Sequence, residues 1–467
     1  MNNNEYQPPS GYKGSLRERL IKEQIRTWSI VRIERADGSR FEGVVLPRSV
    51  HTDETYITLK TGDTGYNIGV QLPDDATIKE IGYKAGAYKV PEKTVIPKPN
   101  LPNISLLGTG GTVASRLDYR TGAVLPAFTP QELFSAVPEL VDIANLKPET
   151  LYEILSENFV PKYWVRTAEE VAKKIKAGVD GVIIGHGTDT MCWTGSALSY
   201  FLKNLPVPVV LVGSQRSSDR PSSDGPVNIM NAATIAGYAD LAEVVICMHG
   251  TTSDTYDLIH RATRARKMHS SRRDAFRTMS DIPLGKIQDK EITFFKSDYR
   301  KRSTSQREDF YLDAKIDEKV ALLYSYPGMQ PDIIDSILDK DYHGIVIIGT
   351  GLGHVGTNVY PALKRAQEME VPVVIVVQPL YGFTHLRVYE TGRDMLAMGV
   401  IEGSNMLPSA AYAKLIYTLG HTRDINEVKK LMQTNLAGEI TTGEPAAGYS
   451  VFQGIENGID KIFEKLS

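Results

Sequence analysis

Residues 104–114, ISLLGTGGTVA, and residues 178–190, GVDGVIIGHGTDT, decide how this chain folds. Each is a continuous apolar run that breaks into glycine and threonine. A run apolar at every position suits a strand buried on both faces, as in a parallel sheet covered by helices. Residues 207–216 (VPVVLVGSQR) and 242–250 (AEVVICMHG) repeat the design, with helical stretches TAEEVAKKIKAG (167–178) and TGSALSYFLKN (194–204) between. Alternating strands and helices predict an α/β domain whose ligands bind beyond the carboxyl ends of the strands. Thr112, Thr188, Asp189 and Arg216 all follow such strands closely.

Outward from this core, a second α/β unit is expected from residue 318 onward. Its strands read KVALLYSY, HGIVIIGTG and VPVVIVVQP, and its helices PALKRAQEM and SAAYAKLIYTLG. A less patterned, charged segment precedes it, at 291–317. Toward the N-terminus, residues 91–103 (PEKTVIPKPNLPN) hold four prolines and read as an extended linker. Before it, the charged helix SLRERLIKEQIR (15–26) leads into four short β-branched and aromatic runs with turn signals between them. That spacing predicts a small all-β, barrel-like domain within residues 1–90. The organisation is thus an N-terminal β domain, a linker, a catalytic α/β domain over 104–290, a connecting segment and a second α/β domain over 318–467. A chain of 467 residues accommodates this many cores.

The formal net charge of −3 excludes a dedicated nucleic-acid binder relying on excess Lys and Arg. The two cysteines, Cys192 and Cys247, sit beside apolar runs and read as buried small hydrophobes rather than a disulfide or metal pair. The polar N-terminus lacks a signal peptide's apolar core, and no apolar stretch approaches the ~18 residues that span a bilayer. A cytoplasmic protein without a membrane partner is expected, and no metal site stands out.

Three motifs carry chemistry. Gly108-Thr109-Gly110-Gly111-Thr112 at a strand end lets backbone N–H groups approach an oxyanion and presents a hydroxyl for attack. The rival reading, a dinucleotide fingerprint, expects a strand ending in an acidic residue ~20 positions on. The chain instead enters LDYRTGAVLPAFTPQEL. His186-Gly187-Thr188-Asp189-Thr190 could be a helix N-cap alone; beside the first motif it offers a second hydroxyl and a carboxylate for proton relay. The run His260 to His269 (HRATRARKMH) reads either as a solvated charged face or as a site for a lysine base. Burial and three nearby arginines would favour a neutral Lys267. The wider cluster of Arg261, Arg264, Arg266, Arg272 and Arg273 could equally attract an acidic partner surface.

Together these residues resemble the L-asparaginase/glutaminase family from about Leu101 to the C-terminal region. LPNISLLGTGGTVAS (101–115) is similar to the family's first signature and GHGTDTM (185–191) to its second; Lys267 stands at the family's spacing before Ala275-Phe276. The resemblance implies Thr112, Thr188, Asp189 and Lys267 as catalytic residues, with Tyr119 on a loop closing over the substrate. It implies Ser156 and Glu157 as binders of the substrate's α-carboxylate and α-amino groups, with Gly111 and Gly187 lining the pocket. VGSQR (212–216) and SSDGPVN (222–228) resemble a supporting segment. A homodimer core follows too, with the neighbour's Gly-rich loop completing the pocket. Here that loop reads Gly349-Thr350-Gly351-Leu352-Gly353-His354, and Leu352 stands where a polar side chain is expected.

Free asparaginases begin near Ile104. The extra N-terminal domain, with YETGRDMLAMGVIEGSNM (389–406), resembles the D-subunit branch found in archaeal-type glutamyl-tRNA(Gln) amidotransferases. That resemblance implies a glutaminase that holds no cofactor itself. It would work with an E subunit that uses ATP and Mg to amidate Glu-tRNA(Gln). A free cytosolic L-asparaginase is the alternative within the same chemistry, and a ligand-binding relic the alternative outside it.

Overall fold

The structure, a computed structural model, describes residues 9–48, 53–62, 66–83, 97–110, 115–117, 124–126, 133–134, 137–216 and 222–445. Thr112, Tyr119 and Gly111 lie outside the described residues, as do residues 91–96 of the linker and residues 446–467.

The first α/β domain is built on an eight-stranded sheet. Its parallel part consists of Asn103–Gly108, Asn145–Thr150, Gly181–Gly185, Val209–Val212 and Val244–His249, in the spatial order second, first, third, fourth, fifth. The chain therefore leaves the first strand to one side and returns on the other. At such a switch point the connections part and leave a crevice at the carboxyl edge. That crevice falls between Gly108 and Gly185, which lie directly opposite each other in the ladder. Both glycine-threonine motifs start there.

Helices cover the two faces as the apolar runs demand. Pro161–Lys176 buries Trp164, Ala168, Val171 and Ile175 at helical spacing. Met191–Phe201 is buried nearly throughout, because it lies between the first sheet and the helix Pro408–Leu419 of the second domain. Gly225–Tyr238 covers the opposite face.

The sheet is not wholly parallel. Asp257–Arg261, Gly285–Gln288 and Glu291–Phe294 extend it antiparallel from the His249 strand. The stretch read as a candidate solvated run is therefore core for its first half: His260 and Arg264 are fully buried, and Arg261 nearly so. Burying such groups is tolerable only when each is hydrogen-bonded or paired. His260 Nδ1 is 2.8 Å from the Thr278 hydroxyl, and Arg261 pairs with Glu243 at 2.8 Å.

The second domain is a four-stranded parallel sheet, Val320–Tyr324, Gly344–Gly349, Val373–Val377 and Ile401–Glu402, flanked by helices. Its helix Pro408–Leu419 and the segment after Gln433 lock it to the first domain. Arg264 donates to the carbonyls of Asn405 (2.7 Å) and Glu439 (2.9 Å), and the Lys414–Glu439 ion pair is completely buried. The N-terminal domain is a five-stranded antiparallel sheet between Ser29 and Tyr83, with the helix Gly14–Lys22 contributing Leu16 and Leu20 to its core. Among the described residues no helix is long and apolar enough to cross a membrane.

Candidate active site

At the crevice, the first strand ends at Gly108 and the chain turns through Thr109. Thr109 N–H and its hydroxyl both donate to the Gly185 carbonyl, each at 2.9 Å, and fasten this turn to the next strand end. Gly110 follows with φ +103°, and a Cβ built there would lie 2.1 Å from the Ile154 carbonyl oxygen. Only glycine permits both the conformation and the approach. The Gly-rich turn is thus pressed against the segment that carries Ser156 and Glu157. Thr112 lies two residues further on, outside the described residues.

The second strand end is held from below by His186. Its ring is completely buried, and Nδ1 donates to the Gly187 carbonyl at 2.7 Å while Nε2 accepts from the Thr194 hydroxyl at 2.8 Å. Burial pushes its pKa down to about 4, so the imidazole is neutral, and a neutral ring has the one donor and one acceptor this arrangement requires. Gly187 then meets Ser156 so closely that a Cβ would lie 2.6 Å from the serine Cβ. The Thr190 hydroxyl donates to the Ser156 carbonyl at 2.8 Å, completing that junction. Ser156 is buried, and Glu157, in the same short 3-10 turn, is exposed.

Lys267 reaches the same point from elsewhere in the chain. It closes the short strand Ala265–Lys267, which pairs with Phe276–Thr278, Lys267 opposite Phe276. Its ammonium donates to Thr188 Oγ1 at 2.9 Å and to Asp189 Oδ1 at 2.7 Å. The Thr188 residue and the Lys267 side chain are largely shielded, whereas the Asp189 side chain is 66% exposed. A hydroxyl, an amine and a carboxylate in hydrogen-bonded series form a path for a proton from a protected oxygen to solvent.

The structure brings together Thr188, Asp189 and Lys267, and separately Gly187 and Ser156. It does not gather the arginines around Lys267 as expected from their crowding in the chain. Arg261 turns to Glu243 and Asp298, Arg264 to the second domain, Arg272 to Asp274, and Arg273 to Asp254. Arg266 neighbours Lys267 on a strand, where successive side chains take opposite faces. Arg264 ties the base of the Lys267 strand to the second domain.

A polar network beyond the fourth and fifth strands is the main feature that residue-by-residue reading missed. Asp224 accepts from the backbone N–H groups of Gln215 and Arg216, and Asn228 bridges Asp224 to the Gly213 carbonyl. The Asn228 carbonyl meets His249 Nδ1, which also lies 2.9 Å from Asp257, while His249 Nε2 faces Asp254 at 3.0 Å. Burial alone would lower the His249 pKa; the hydrogen bonds to Asp257 and Asp254 and the charges of Asp257 and Asp224 outweigh it and raise the value to about 9. The visible signal was the polar density of SSDGPVN and of His249 after an apolar strand. Cys247 touches Asp257 and Cys192 lies under the site; burial pushes both thiols up, Cys192 to about 12, which disfavours the thiolate form.

In the second domain, the loop expected to serve a neighbouring protomer is a tight turn closed by reciprocal Thr350–His354 backbone bonds at 2.8 Å, with Leu352 half-buried. Tyr324, Tyr326, Phe383 and Tyr389 stand exposed near the carboxyl ends of that sheet.

Comparison with known proteins agrees with this architecture. Residues 25–81 match the GatD N-terminal domain, residues 103–300 the N-terminal asparaginase domain and residues 319–432 the glutaminase/asparaginase C-terminal domain. The D subunit of glutamyl-tRNA(Gln) amidotransferase from Pyrococcus furiosus is 50% identical over 88% of this chain and 93% of its own. Its counterpart from Methanopyrus kandleri is 46% identical over 95% of this chain and 98% of its own. Among solved structures, the thermostable L-asparaginase from Thermococcus kodakarensis superposes with a TM-score of 0.65 at 30% identity, covering 73% of this chain and 99% of the asparaginase. The asparaginase accounts for the two α/β domains, and the N-terminal β domain is what remains. The chain belongs to the family of glutamyl-tRNA(Gln) amidotransferase D subunits, an asparaginase-type fold carrying a β domain at its N-terminus.

Proposed function

We propose that this chain is the glutaminase component of a tRNA-dependent amidotransferase, releasing ammonia from the side-chain amide of glutamine. The observation that carries the chemistry is the Lys267 ammonium, 2.9 Å from Thr188 and 2.7 Å from Asp189 at the switch point of a parallel sheet. In this reading the Thr112 hydroxyl adds to the amide carbon, and Tyr119 takes the hydroxyl proton and passes it to the departing nitrogen. Ammonia leaves and an ester remains on Thr112. Water activated through Thr188, Lys267 and Asp189 then adds to the ester carbon, releasing glutamate and restoring the threonine. Backbone N–H groups of the two glycine-rich turns stabilise the oxyanion in both steps, and Ser156 with Glu157 holds the amino-acid end.

The partner is an E-type subunit that consumes ATP with Mg and transfers the ammonia to Glu-tRNA(Gln). No cofactor is assigned to this chain. The exposed tyrosines and Phe383 beside the Gly349–His354 turn suit contact with a second copy or the partner.

A free L-asparaginase is the second reading, favoured by the near-complete coverage of the Thermococcus kodakarensis enzyme. The match of residues 25–81 to the GatD N-terminal domain favours the first. Ammonia release from glutamine and from asparagine, measured with and without the E subunit and charged tRNA, separates them. The first reading expects glutamine turnover to rise in the complex. Rapid asparagine turnover by the chain alone, indifferent to partner and tRNA, rejects it.

A further inference from the structure

We propose that a cavity on the rim of the same sheet edge is a phosphate-binding site. It has a volume of about 300 Å³ and is lined by Arg216, Ser222, Thr252, Ser271, Arg272 and Arg273. Three separate elements converge on it: the turn after Val209–Val212, the bend after Val244–His249, and the loop joining Lys267 to Phe276. Every lining side chain is either a guanidinium or a hydroxyl. Such a set can only donate to, or stay neutral toward, a tetrahedral oxyanion, and guanidinium groups match phosphate oxygens in geometry as well as charge.

The arginines are positioned before any ligand arrives. Arg273 is held by Asp254 at 2.6 Å and by the Ser222 carbonyl, and Arg272 by both oxygens of Asp274 at 2.8 and 2.9 Å. Arg216 is fixed through its backbone, its N–H donating to Asp224 and its carbonyl accepting from Ser223. The acids nearby are already engaged: Asp254 lies between Arg273 and His249, and Asp274 between Arg272 and Arg277. Among the described residues Arg216 has no carboxylate partner, and its guanidinium, with those of Arg272 and Arg273, faces the cavity where a phosphate would bind. A phosphodiester of an RNA strand and a small free phosphate present the same oxygens. Ser271, Arg272 and Arg273 lie on the hairpin loop whose base is Lys267.

The inference rests on the cavity and not on glutaminase chemistry, so it is tested by binding. Inorganic phosphate and a short oligoribonucleotide are titrated calorimetrically, singly and in competition, into the full chain and its Arg216→Gln and Arg273→Gln variants. Saturable binding that weakens roughly 10-fold or more in Arg216→Gln is expected, since a charge-assisted hydrogen bond is lost. Arg216 is exposed, so this variant keeps the fold; Arg273→Gln, nearer the core, provides the second measurement. Displacement of phosphate by the oligoribonucleotide assigns the site to RNA phosphodiesters, and binding of phosphate alone assigns it to a small phosphate. Absence of saturable binding by either probe, or equal binding by wild type and both variants, overturns the proposal. Glutamine hydrolysis measured on the same samples shows separately whether the catalytic reading stands.

Discussion

His186 and His249 end two strands of one sheet, both with fully buried rings, yet one is neutral and the other charged. The difference lies in what each meets. His186 finds a carbonyl and a hydroxyl, which satisfy a neutral ring and offer nothing to balance a charge. His249 finds two carboxylates, Asp257 and Asp254, which make the charged form the stable one. The proposed chemistry sits over the neutral end: Thr188 and Asp189 follow His186 and accept hydrogen bonds from Lys267. The charged end faces the supporting turns instead, where ion pairs fix loops. One sheet edge thus has a region where the proposed proton relay lies over a neutral ring and a region where ion pairs fasten loops.

The largest test of this division is removal of the lysine. Lys267→Met keeps the length of the side chain and removes the amine. Its partner Asp189 is 66% exposed, so no buried charge is stranded and thermal stability should change little. Turnover of glutamine should fall by roughly 10²–10⁴-fold, the usual contribution of a proton-transfer group. Steady-state ammonia release and a melting curve on the same preparation check both halves. Activity within a few-fold of wild type would remove Lys267 from the mechanism.

Much of the active end was legible in the sequence because its strands are apolar at every position and stop abruptly at Gly108 and Gly185. The joint position of Thr188, Asp189 and Lys267 required the resemblance to a known family, since nothing local in HRATRARKMH separates Lys267 from its arginines. The supporting end was less legible. Asp257–Arg261 is a core strand although Asp257, His260 and Arg261 are polar or charged. Each faces a partner on another segment: His249 for Asp257, Thr278 for His260 Nδ1 and Glu243 for Arg261. A periodicity argument sees the charge and not the partner, so it assigns such a strand to the surface.

The two histidines should also separate in how stability depends on pH. His249 has its pKa raised from 6.5 to about 9 by folding, so its contribution is fully present below pH 6.5 and is lost as pH rises through 9. A shift of this size corresponds to about 3 kcal/mol. His186 has its pKa lowered to about 4. It costs nothing above pH 6.5, and stability is lost as pH falls from there toward 4, because the unfolded chain takes up the proton first, again by about 3 kcal/mol. Urea unfolding of His249→Gln and His186→Asn against wild type isolates each term. The His249→Gln deficit should be greatest near neutral pH or below and shrink toward pH 9. The His186→Asn difference from wild type should drift in favour of the variant as pH falls. Parallel pH profiles for both variants would mean the two rings share one protonation state, and the comparison would break.

The smallest effect expected comes from a single methyl group where the two glycine-threonine turns meet the substrate-binding segment. Gly187→Ala places a Cβ 2.6 Å from Ser156 Cβ, an atom that cannot swing away without moving backbone. Overpacking of this kind costs about 1–3 kcal/mol. Ser156 is fastened by the Thr190 hydroxyl, so the displacement falls on the junction between Ser156 and Thr188. The strain is relieved by opening that junction, which moves the predicted amino-acid-binding groups away from the relay while leaving Lys267 bonded to Asp189. Roughly a 10-fold rise in KM for glutamine is therefore expected, with a smaller change in kcat. A fall in kcat at unchanged KM would place Gly187 with the proton relay instead, and would shift the boundary between binding and chemistry to the Ser156 side of the crevice.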